Sequence, residues 1–322
     1  MLAQPSAIRF FSLMAPYDSE VTYQLRDLDD WKFPGTSLAV LGFPVRHSIS
    51  PAMHNAAIAE LAAQHSQYDD WRYFRFEVEP EILPQALPQF FNKGFFGINL
   101  TVPHKEIALG LIESIDPKAV EIGAVNTLKR ESAGYRGYNT DGYGLANGIE
   151  ADLSASLAGS DVAILGAGGA ARAAAVQALR NECRSLRIIN RSAYRLENLL
   201  NSLGPIAQEK GIPLQGFSPQ EPNLELLPNT LLINATSLGL NSNDPLPIPE
   251  ERLPQNAALY DMIYNPRMTK LMKAVSERGG RAANGLSMLV YQGVKALEIW
   301  SDRKIDPSAM TGAANSALAA KA

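Results

Sequence analysis

The sharpest chemical signal in this sequence is a run of glycines. Val162-Ala163-Ile164-Leu165-Gly166-Ala167-Gly168-Gly169-Ala170-Ala171 places Gly166, Gly168 and Ala171 at G-x-G-x-x-A spacing. An apolar strand pattern precedes it and strong helix formers follow, the context in which that spacing binds a dinucleotide. One glycine permits the tight turn. The next lets the backbone approach a pyrophosphate, and the small third residue lets helix and strand pack closely. The helix N-terminus then offers free N–H groups and its positive dipole end to the phosphates. The same glycines would also suit a purely structural turn; the strand–turn–helix setting favours the ligand. The candidates are Gly166, Ala167, Gly168, Gly169 and Ala170.

The next strand selects the dinucleotide. An NAD site usually ends that strand with an acid that bonds the ribose 2′-hydroxyl. Here Ile188-Ile189 is followed by Asn190-Arg191-Ser192, with no acid. Arg191 lies 25 residues after Gly166, and a guanidinium there can pair with a 2′-phosphate. Arg195 could add a second charge. Both arginines also read as solvated helix-start charges, but the missing acid favours NADP over NAD.

A second group of polar residues lies in the first half of the chain. Ser48 and Ser50, then Asn99, Thr101 and Lys105, then Asn126, then Asn139 with Asp141, each follow a short apolar segment. In open α/β sheets, ligands gather at the carboxyl ends of strands. Taken singly, each has a plain explanation: Ser50 as a helix cap, Asn126 and Asn139 as turn residues, Lys105 as a solvated lysine. Together, beside a dinucleotide unit, they favour a site for a small ligand bearing several hydroxyls.

These residues must be positioned by alternating strands and helices. The patterns predict strands at Ser37–Leu41, Trp71–Val78, Phe95–Val102, Val162–Leu165, Ser185–Asn190, Leu231–Ala235 and Ala258–Asp261, with paired short strands at Ala124–Lys129 and Ala133–Tyr138. Helices are predicted at about Ala52–Ala63, Ile82–Phe91, Lys105–Leu111, Tyr143–Asp152, Ala170–Leu179, Tyr194–Leu203, Thr269–Arg278 and Leu286–Trp300. Alternation of this kind argues for an α/β fold with parallel sheets. Residues 1–36 read as an extension, an arm lying on the first domain. The Ala- and Ser-rich tail after Asp306 reads as fraying. Gln292 interrupts an apolar helical stripe, which suits a polar group turned toward a cleft.

Composition sets outer bounds. The chain has 322 residues, enough for about two domains at roughly 150 residues each. Hydrophobic residues are 46% and charged residues 19%, the profile of a globular rather than a disordered protein. The net charge of -4 supplies no basic surface for nucleic acid. The single cysteine, Cys183, makes no internal disulfide, and the histidines His47, His54, His65 and His104 form no metal motif. His104 reads as a loop side chain rather than a base. No run of about 18 apolar residues implies a membrane helix. The short apolar patch Phe10 to Ala15 is a poor signal peptide, so the expected location is cytoplasmic.

At this point the sequence resembles the shikimate dehydrogenases. The resemblance rests on Gly42-Phe43-Pro44-Val45-Arg46-His47-Ser48-Ile49-Ser50-Pro51, Asn99-Leu100-Thr101-Val102-Pro103-His104-Lys105-Glu106 and Gly123-Ala124-Val125-Asn126-Thr127. It continues through Asn139-Thr140-Asp141-Gly142, the glycine run, Asn190-Arg191-Ser192, Asn234-Ala235-Thr236-Ser237, Asp261-Met262-Ile263-Tyr264-Asn265-Pro266 and the Gly285 to Gln292 segment. These run in family order over residues 37 to about 305.

The resemblance implies an N-terminal α/β substrate domain plus a Rossmann-type NADP-binding domain, with a cleft between them. The expected boundaries are 37–142 with 286–310 for the substrate domain and 143–285 for the NADP domain. It implies reversible reduction of 3-dehydroshikimate to shikimate with NADPH. It further implies that Ser48 and Ser50 bond the substrate carboxylate, that Thr101, Asn126, Asp141 and Gln292 bond ring hydroxyls or orient the lysine, that Tyr264 approaches the carboxylate, and that Met262 and Gly285 lie along the nicotinamide. Asn190 and Ser192 join the cofactor set with Arg191 and Arg195.

Chemistry agrees on the catalytic pair. A ketone that gains a hydride becomes an alkoxide and needs a proton. Lys105 is the obvious donor and Asp141 the partner to hold it, set against the competing reading in which Lys105 only positions the substrate. Two rivals remain: a quinate/shikimate or related cyclitol dehydrogenase with relaxed substrate or NAD use, and a non-catalytic ligand-binding homologue. Ser50 and Arg191 depart from the features of quinate-using, NAD-dependent relatives. The partner is a small molecule, with no nucleic acid, membrane or metal, and the protein could be a monomer or a homodimer.

Overall fold

The computed structural model describes residues 17–321, so the Phe10 to Ala15 patch lies outside the described residues. In chain order the first stretch comprises β1 (Thr22–Gln24), β2 (Ser37–Gly42), α1 (Ser50–Gln64), β3 (Arg72–Glu77), α2 (Leu83–Asn92), β4 (Gly97–Leu100), α3 (His104–Ile107), β5 (Ser114–Ile115), α4 (Pro117–Ile122), β6 (Thr127–Arg130), β7 (Tyr135–Tyr138) and α5 (Asp141–Leu153). Its strands form one seven-stranded sheet in the order β1-β3-β2-β4-β6-β7-β5. In a strand, successive side chains face opposite sides of the sheet. Accordingly Leu38 and Val40 of β2 join the apolar layer under α1. Ala39 and Leu41 join an aromatic layer containing Trp31, Phe74, Phe76, Phe90 and Phe95.

The second stretch comprises β8 (Asp161–Leu165), α6 (Gly169–Arg180), β9 (Ser185–Ile189), α7 (Ala193–Lys210), β10 (Leu214–Phe217), β11 (Leu231–Asn234), β12 (Ala258–Asp261), α8 (Lys270–Glu277) and β13 (Arg281–Asn284). Its six strands run β10-β9-β8-β11-β12-β13, all parallel. That is the doubly wound order whose switch point lies between its first and fourth strands, here β8 and β11. Two helices then return to the first sheet, α9 (Leu286–Ser301) and α10 (Ser308–Ala319). The Trp300 indole donates to Leu128 O at 2.9 Å and Lys129 Nζ donates to Ile299 O at 2.7 Å, tying the end of α9 to β6.

α5 and α9 carry the chain between the sheets, and they lie against each other. Gly148 makes this possible, because a Cβ there would fall 2.3 Å from the Tyr260 hydroxyl and 3.0 Å from Met288 N. That hydroxyl instead accepts the Met288 N–H at 2.9 Å. No helix among the described residues is long and apolar enough to cross a membrane.

Several expectations change. The first sheet is mixed rather than parallel: β6 runs antiparallel to both β4 and β7. The turn between β6 and β7 is too short for a parallel crossover, which needs a dozen or more residues. Within 1–36, residues 22–24 are not merely laid on the sheet; they pair in parallel with β3 as its edge strand. The tail after Asp306 is not frayed but helical. Met310, Ala314 and Leu318 recur every four residues and are buried. Fully burying a Leu or Met side chain contributes about 1.5–3 kcal/mol, and alanine is the best helix former. α7 also runs past the expected end, through Pro205 to Lys210.

Candidate active site

A cleft of about 390 Å³ opens where the carboxyl ends of β2 and β4 face the loops after β12 and β13. The loop after β2 carries Ser48, and α1 opens on Ser50. Thr101 follows β4, Lys105 lies in α3, and Asp141 is the first residue of α5. Tyr264 and Met262 come from the loop after β12, Gly285 precedes α9, and Gln292 lies on it. All of these residues, with Ala170, line this one cleft.

Ser50 is not the expected helix cap. The N-cap of α1 is Ile49, without a side-chain cap bond. Ser48 Oγ instead accepts the Ser50 N–H at 3.3 Å and donates to Ser50 Oγ at 3.1 Å. The Ser50 hydroxyl is therefore not consumed by the helix.

Lys105 Nζ donates to Asp141 Oδ2 at 2.8 Å, with the lysine side chain 29% and the aspartate 13% exposed. The other carboxylate oxygen accepts Asn126 Nδ2 at 2.9 Å. Asn126 is 1% exposed and does not line the cleft. Its amide also meets Thr140, donating to Oγ1 at 3.0 Å and accepting the Thr140 N–H at 2.8 Å. The Asp141 N–H donates to Asn139 Oδ1 at 3.0 Å. Asn126, buried, and Asn139, half-buried, thus set the carboxylate from behind the cleft wall. Asn99 completes the floor: it lines the cleft, accepts from the Tyr73 hydroxyl at 2.8 Å and donates to Thr127 Oγ1 at 3.0 Å.

Other cleft groups are tuned by burial. Desolvation raises the Tyr264 phenol pKa, so its hydroxyl stays a protonated donor. Asp261, fully buried beneath the Met262 loop, is also raised by desolvation. It accepts from Thr269 Oγ1 at 2.7 Å, Asn234 Nδ2 at 3.0 Å and the Ile263 N–H at 3.1 Å, which shapes that loop. Gln292 donates to Leu289 O at 2.8 Å. His104 is not a loop side chain: it opens α3, is fully buried, and desolvation lowers its pKa.

A second cleft, about 570 Å³, lies at the β8/β11 switch point. Gly166, Ala167, Gly168, Asn190, Arg191 and Arg195 line it. Gly166 has φ +115°, open only to glycine, and a Cβ there would meet Ala235 O at 3.0 Å. Gly168 caps α6 without a side-chain bond, leaving its first N–H groups to a ligand. A third hollow of about 440 Å³ continues past Gly169 toward Glu106 and Arg172, and Arg195 borders both. The Nε atom of Arg172 is buried there without a hydrogen-bond partner among the described residues.

An uncapped helix start, an orphaned guanidinium nitrogen and two further arginines fit a phosphorylated dinucleotide. Among the described residues, no acidic side chain lines the switch-point cleft. Ser192 is set apart from the hollows: it is the N-cap of α7, accepting the Arg195 N–H at 3.4 Å, while Asn190 Nδ2 donates to Ser192 O at 2.9 Å. Sequence reasoning missed Arg172, one residue beyond the glycine fingerprint, and gave no role to Thr236 and Ser237. It also missed Met288 and Leu289, whose apolar side chains carry no chemical signal. No group of three or more metal-ligating side chains occurs among the described residues.

Comparison with known proteins identifies the family. The shikimate dehydrogenase substrate binding domain matches residues 40–128, and the shikimate 5'-dehydrogenase C-terminal domain matches residues 285–314. A protein of Geobacter metallireducens named shikimate dehydrogenase (NADP(+)) is 38% identical over 273 residues, covering 85% of this chain and 93% of its own. A shikimate 5-dehydrogenase from Thermus thermophilus, solved in complex with NADP(H) and shikimate, superposes with TM-score 0.76 at 33% identity, over 88% of this chain and 100% of its own. The ligand-free 5-ketofructose reductase of a Gluconobacter strain superposes with TM-score 0.77 at 30% identity, over 88% and 99%. The extent and identity of these matches place this chain in the shikimate dehydrogenase family.

Proposed function

We propose that this chain interconverts 3-dehydroshikimate and shikimate reversibly, with NADP(H) as hydride partner. The observation that carries the reading is the Lys105–Asp141 pair at 2.8 Å, placed in the same cleft as Met262 and Gly285. When bound, NADPH supplies the hydride. Gly166, Ala167, Gly168, Gly169 and Ala170 would hold its pyrophosphate end. Arg191, in the loop shaped by Asn190 and Ser192, and Arg195, in the first turn of α7, would hold the 2′-phosphate, and Met262 and Gly285 would border the ring.

The chain's own residues do the rest. The Ser48 and Ser50 hydroxyls donate to the substrate carboxylate, with the Tyr264 phenol beside them. Thr101, Gln292 and Asp141 take the ring hydroxyls, and Asn126 holds Asp141 in register. Lys105 Nζ gives a proton to the ketone oxygen on reduction and takes the hydroxyl proton back on oxidation. Asp141 Oδ2 aims the ammonium. Residues 37–142 with 286–310, extended by the edge strand β1 and the whole of α10, form the substrate domain, and 143–285 the NADP domain.

The pairing of Lys105 with Asp141 supports an enzyme over a non-catalytic binding homologue. The basic lining of the switch-point cleft supports NADP over NAD. The test is a steady-state comparison of shikimate and quinate, each with NADP⁺ and NAD⁺. Shikimate with NADP⁺ is expected to give the highest kcat/KM; faster turnover of quinate with NAD⁺ would overturn the assignment.

A further inference from the structure

The loop that carries Ser48 is held from behind by two charged residues of β3. Glu77 is 7% exposed and accepts the Val45 N–H at 3.3 Å and the Arg46 guanidinium at 2.9 and 3.1 Å. Arg75, two residues earlier on the same strand face, is also 7% exposed. Its Nη1 donates to Ser48 O at 2.7 Å. Its Nε donates to Thr22 Oγ1 at 2.8 Å, and its Nη2 donates to Glu20 O. Thr22 lies directly opposite Arg75 in the β1/β3 pairing. That arm lies upstream of residue 40, where the match to the family's substrate domain begins.

A buried guanidinium is expensive to keep unless its hydrogens are satisfied. Here its partners are two carbonyls and a hydroxyl, and no carboxylate lies within ion-pair distance among the described residues. The arrangement leaves a positive charge without a direct ion pair, offset only at longer range by the Glu20 carboxylate, one carbonyl away from the two serine hydroxyls. A site for an anionic group gains from such a charge, and a purely structural glue between β1 and β3 has no need of one.

We propose that Arg75 is a positioning residue for the substrate carboxylate, and that the arm segment Glu20–Gln24 belongs functionally to the substrate site. The arm fixes Arg75, Arg75 fixes the Ser48 carbonyl, and the Ser48 and Ser50 hydroxyls are thereby presented together. The inference rests on the reading above that these serines take a carboxylate.

The test uses the full chain and four variants: Ser48→Ala, Thr22→Val, Arg75→Met and the Ser48→Ala, Arg75→Met double variant. Shikimate KM, NADP⁺ KM, kcat and the thermal melt are measured for each. Arg75→Met is expected to raise shikimate KM about tenfold and Thr22→Val about two- to threefold, as loss of hydrogen bonds to a charged group implies. In both, kcat and NADP⁺ KM stay within about twofold. The double variant is expected to raise shikimate KM by less than the product of the single effects, because both act through one loop. If Arg75→Met fails to fold, Thr22→Val, which alters one half-buried side chain, carries the test alone.

Unchanged shikimate KM in the folded variants overturns the proposal while Ser48→Ala still raises it. So does an equal rise in NADP⁺ KM, which would mean general loosening. If Ser48→Ala itself leaves shikimate KM unchanged, the carboxylate reading of the serines fails, and the proposal with it.

Discussion

The two sheets build their sites from different materials. On the second sheet the cradle is mostly backbone: a glycine turn at φ +115° and a helix start with no side-chain cap. On the first sheet the cradle is mostly side chain: Lys105 on Asp141, Asp141 on Asn126, and Asn126 on Thr140. The backbone site occupies a few consecutive residues, whereas the side-chain site gathers groups from Ser48 to Gln292. The first should tolerate most substitutions that add no atoms to the turn. The second should be sensitive at each member, because every group is held by the next.

Removing the proton donor tests the side-chain half most severely. Lys105→Ala is expected to lower kcat by about 10²–10⁴-fold, the usual range of a general acid–base group, while shikimate KM moves far less. Steady-state kinetics in both directions measure this, and unaltered turnover would remove the role. The counterpart on the backbone half is Gly166→Ala. A methyl group there would sit 3.0 Å from Ala235 O in a backbone conformation reserved for glycine. Strain of about 1–3 kcal/mol should weaken NADP⁺ binding up to about 10²-fold. Shikimate affinity should stay near its original value. Calorimetric titration of each ligand reads the two halves separately, and parallel losses would deny that they are built independently.

The same contrast explains what could be read from the sequence. β8, the glycine turn and α6 were legible because spacing alone encodes a backbone site. The side-chain site was legible as a scatter of polar residues after apolar segments, but its connections were not: nothing in the order of residues says that Asn126 sits under Asp141. β5 has only two residues, and β10 (Leu214-Gln215-Gly216-Phe217) and β13 (Arg281-Ala282-Ala283-Asn284) lack the apolar run that marks the equally short β11 and β12. α10 was hidden by its alanines and serines, whose buried stripe appears only once α1 lies against it.

Arg75 and Glu77 look like the solvent side of an alternating strand, since Phe74 and Phe76 face the aromatic layer. They are buried because the serine loop and the arm close over them. That closure is tertiary and leaves no local signature.

The backbone half has one site where a side chain should decide. Arg191 lines the switch-point cleft, and losing a charge-assisted bond to phosphate is worth about 1.5–3 kcal/mol. Arg191→Ala should therefore cut the preference for NADP⁺ over NAD⁺ by about ten- to a hundredfold, chiefly through a higher NADP⁺ KM. Measuring kcat/KM with both cofactors checks it. An unchanged ratio would move phosphate recognition to Arg195 or Arg172.

The smallest effect concerns the stability of the side-chain half. His54 is fully buried on α1, stacked on Tyr73 with ring centroids 4.1 Å apart, and neither ring nitrogen has a hydrogen-bond partner among the described residues. Burial lowers its pKa from 6.5 to about 3. The unfolded chain therefore binds this proton first as pH falls. The stability tied to a neutral His54 is complete above pH 6.5 and declines below it, until the folded form also protonates near pH 3. Between pH 7 and pH 5.5 this amounts to about 1 kcal/mol. His54→Leu keeps an apolar filling and removes the titration, so its unfolding midpoint should fall less than the parent's over that interval. His104, also buried and lowered, retains its own share of acid sensitivity and should keep the variant from becoming pH-independent. If parent and variant lose stability equally, the acid sensitivity arises elsewhere, and the side-chain half bears no special pH burden from its buried histidine.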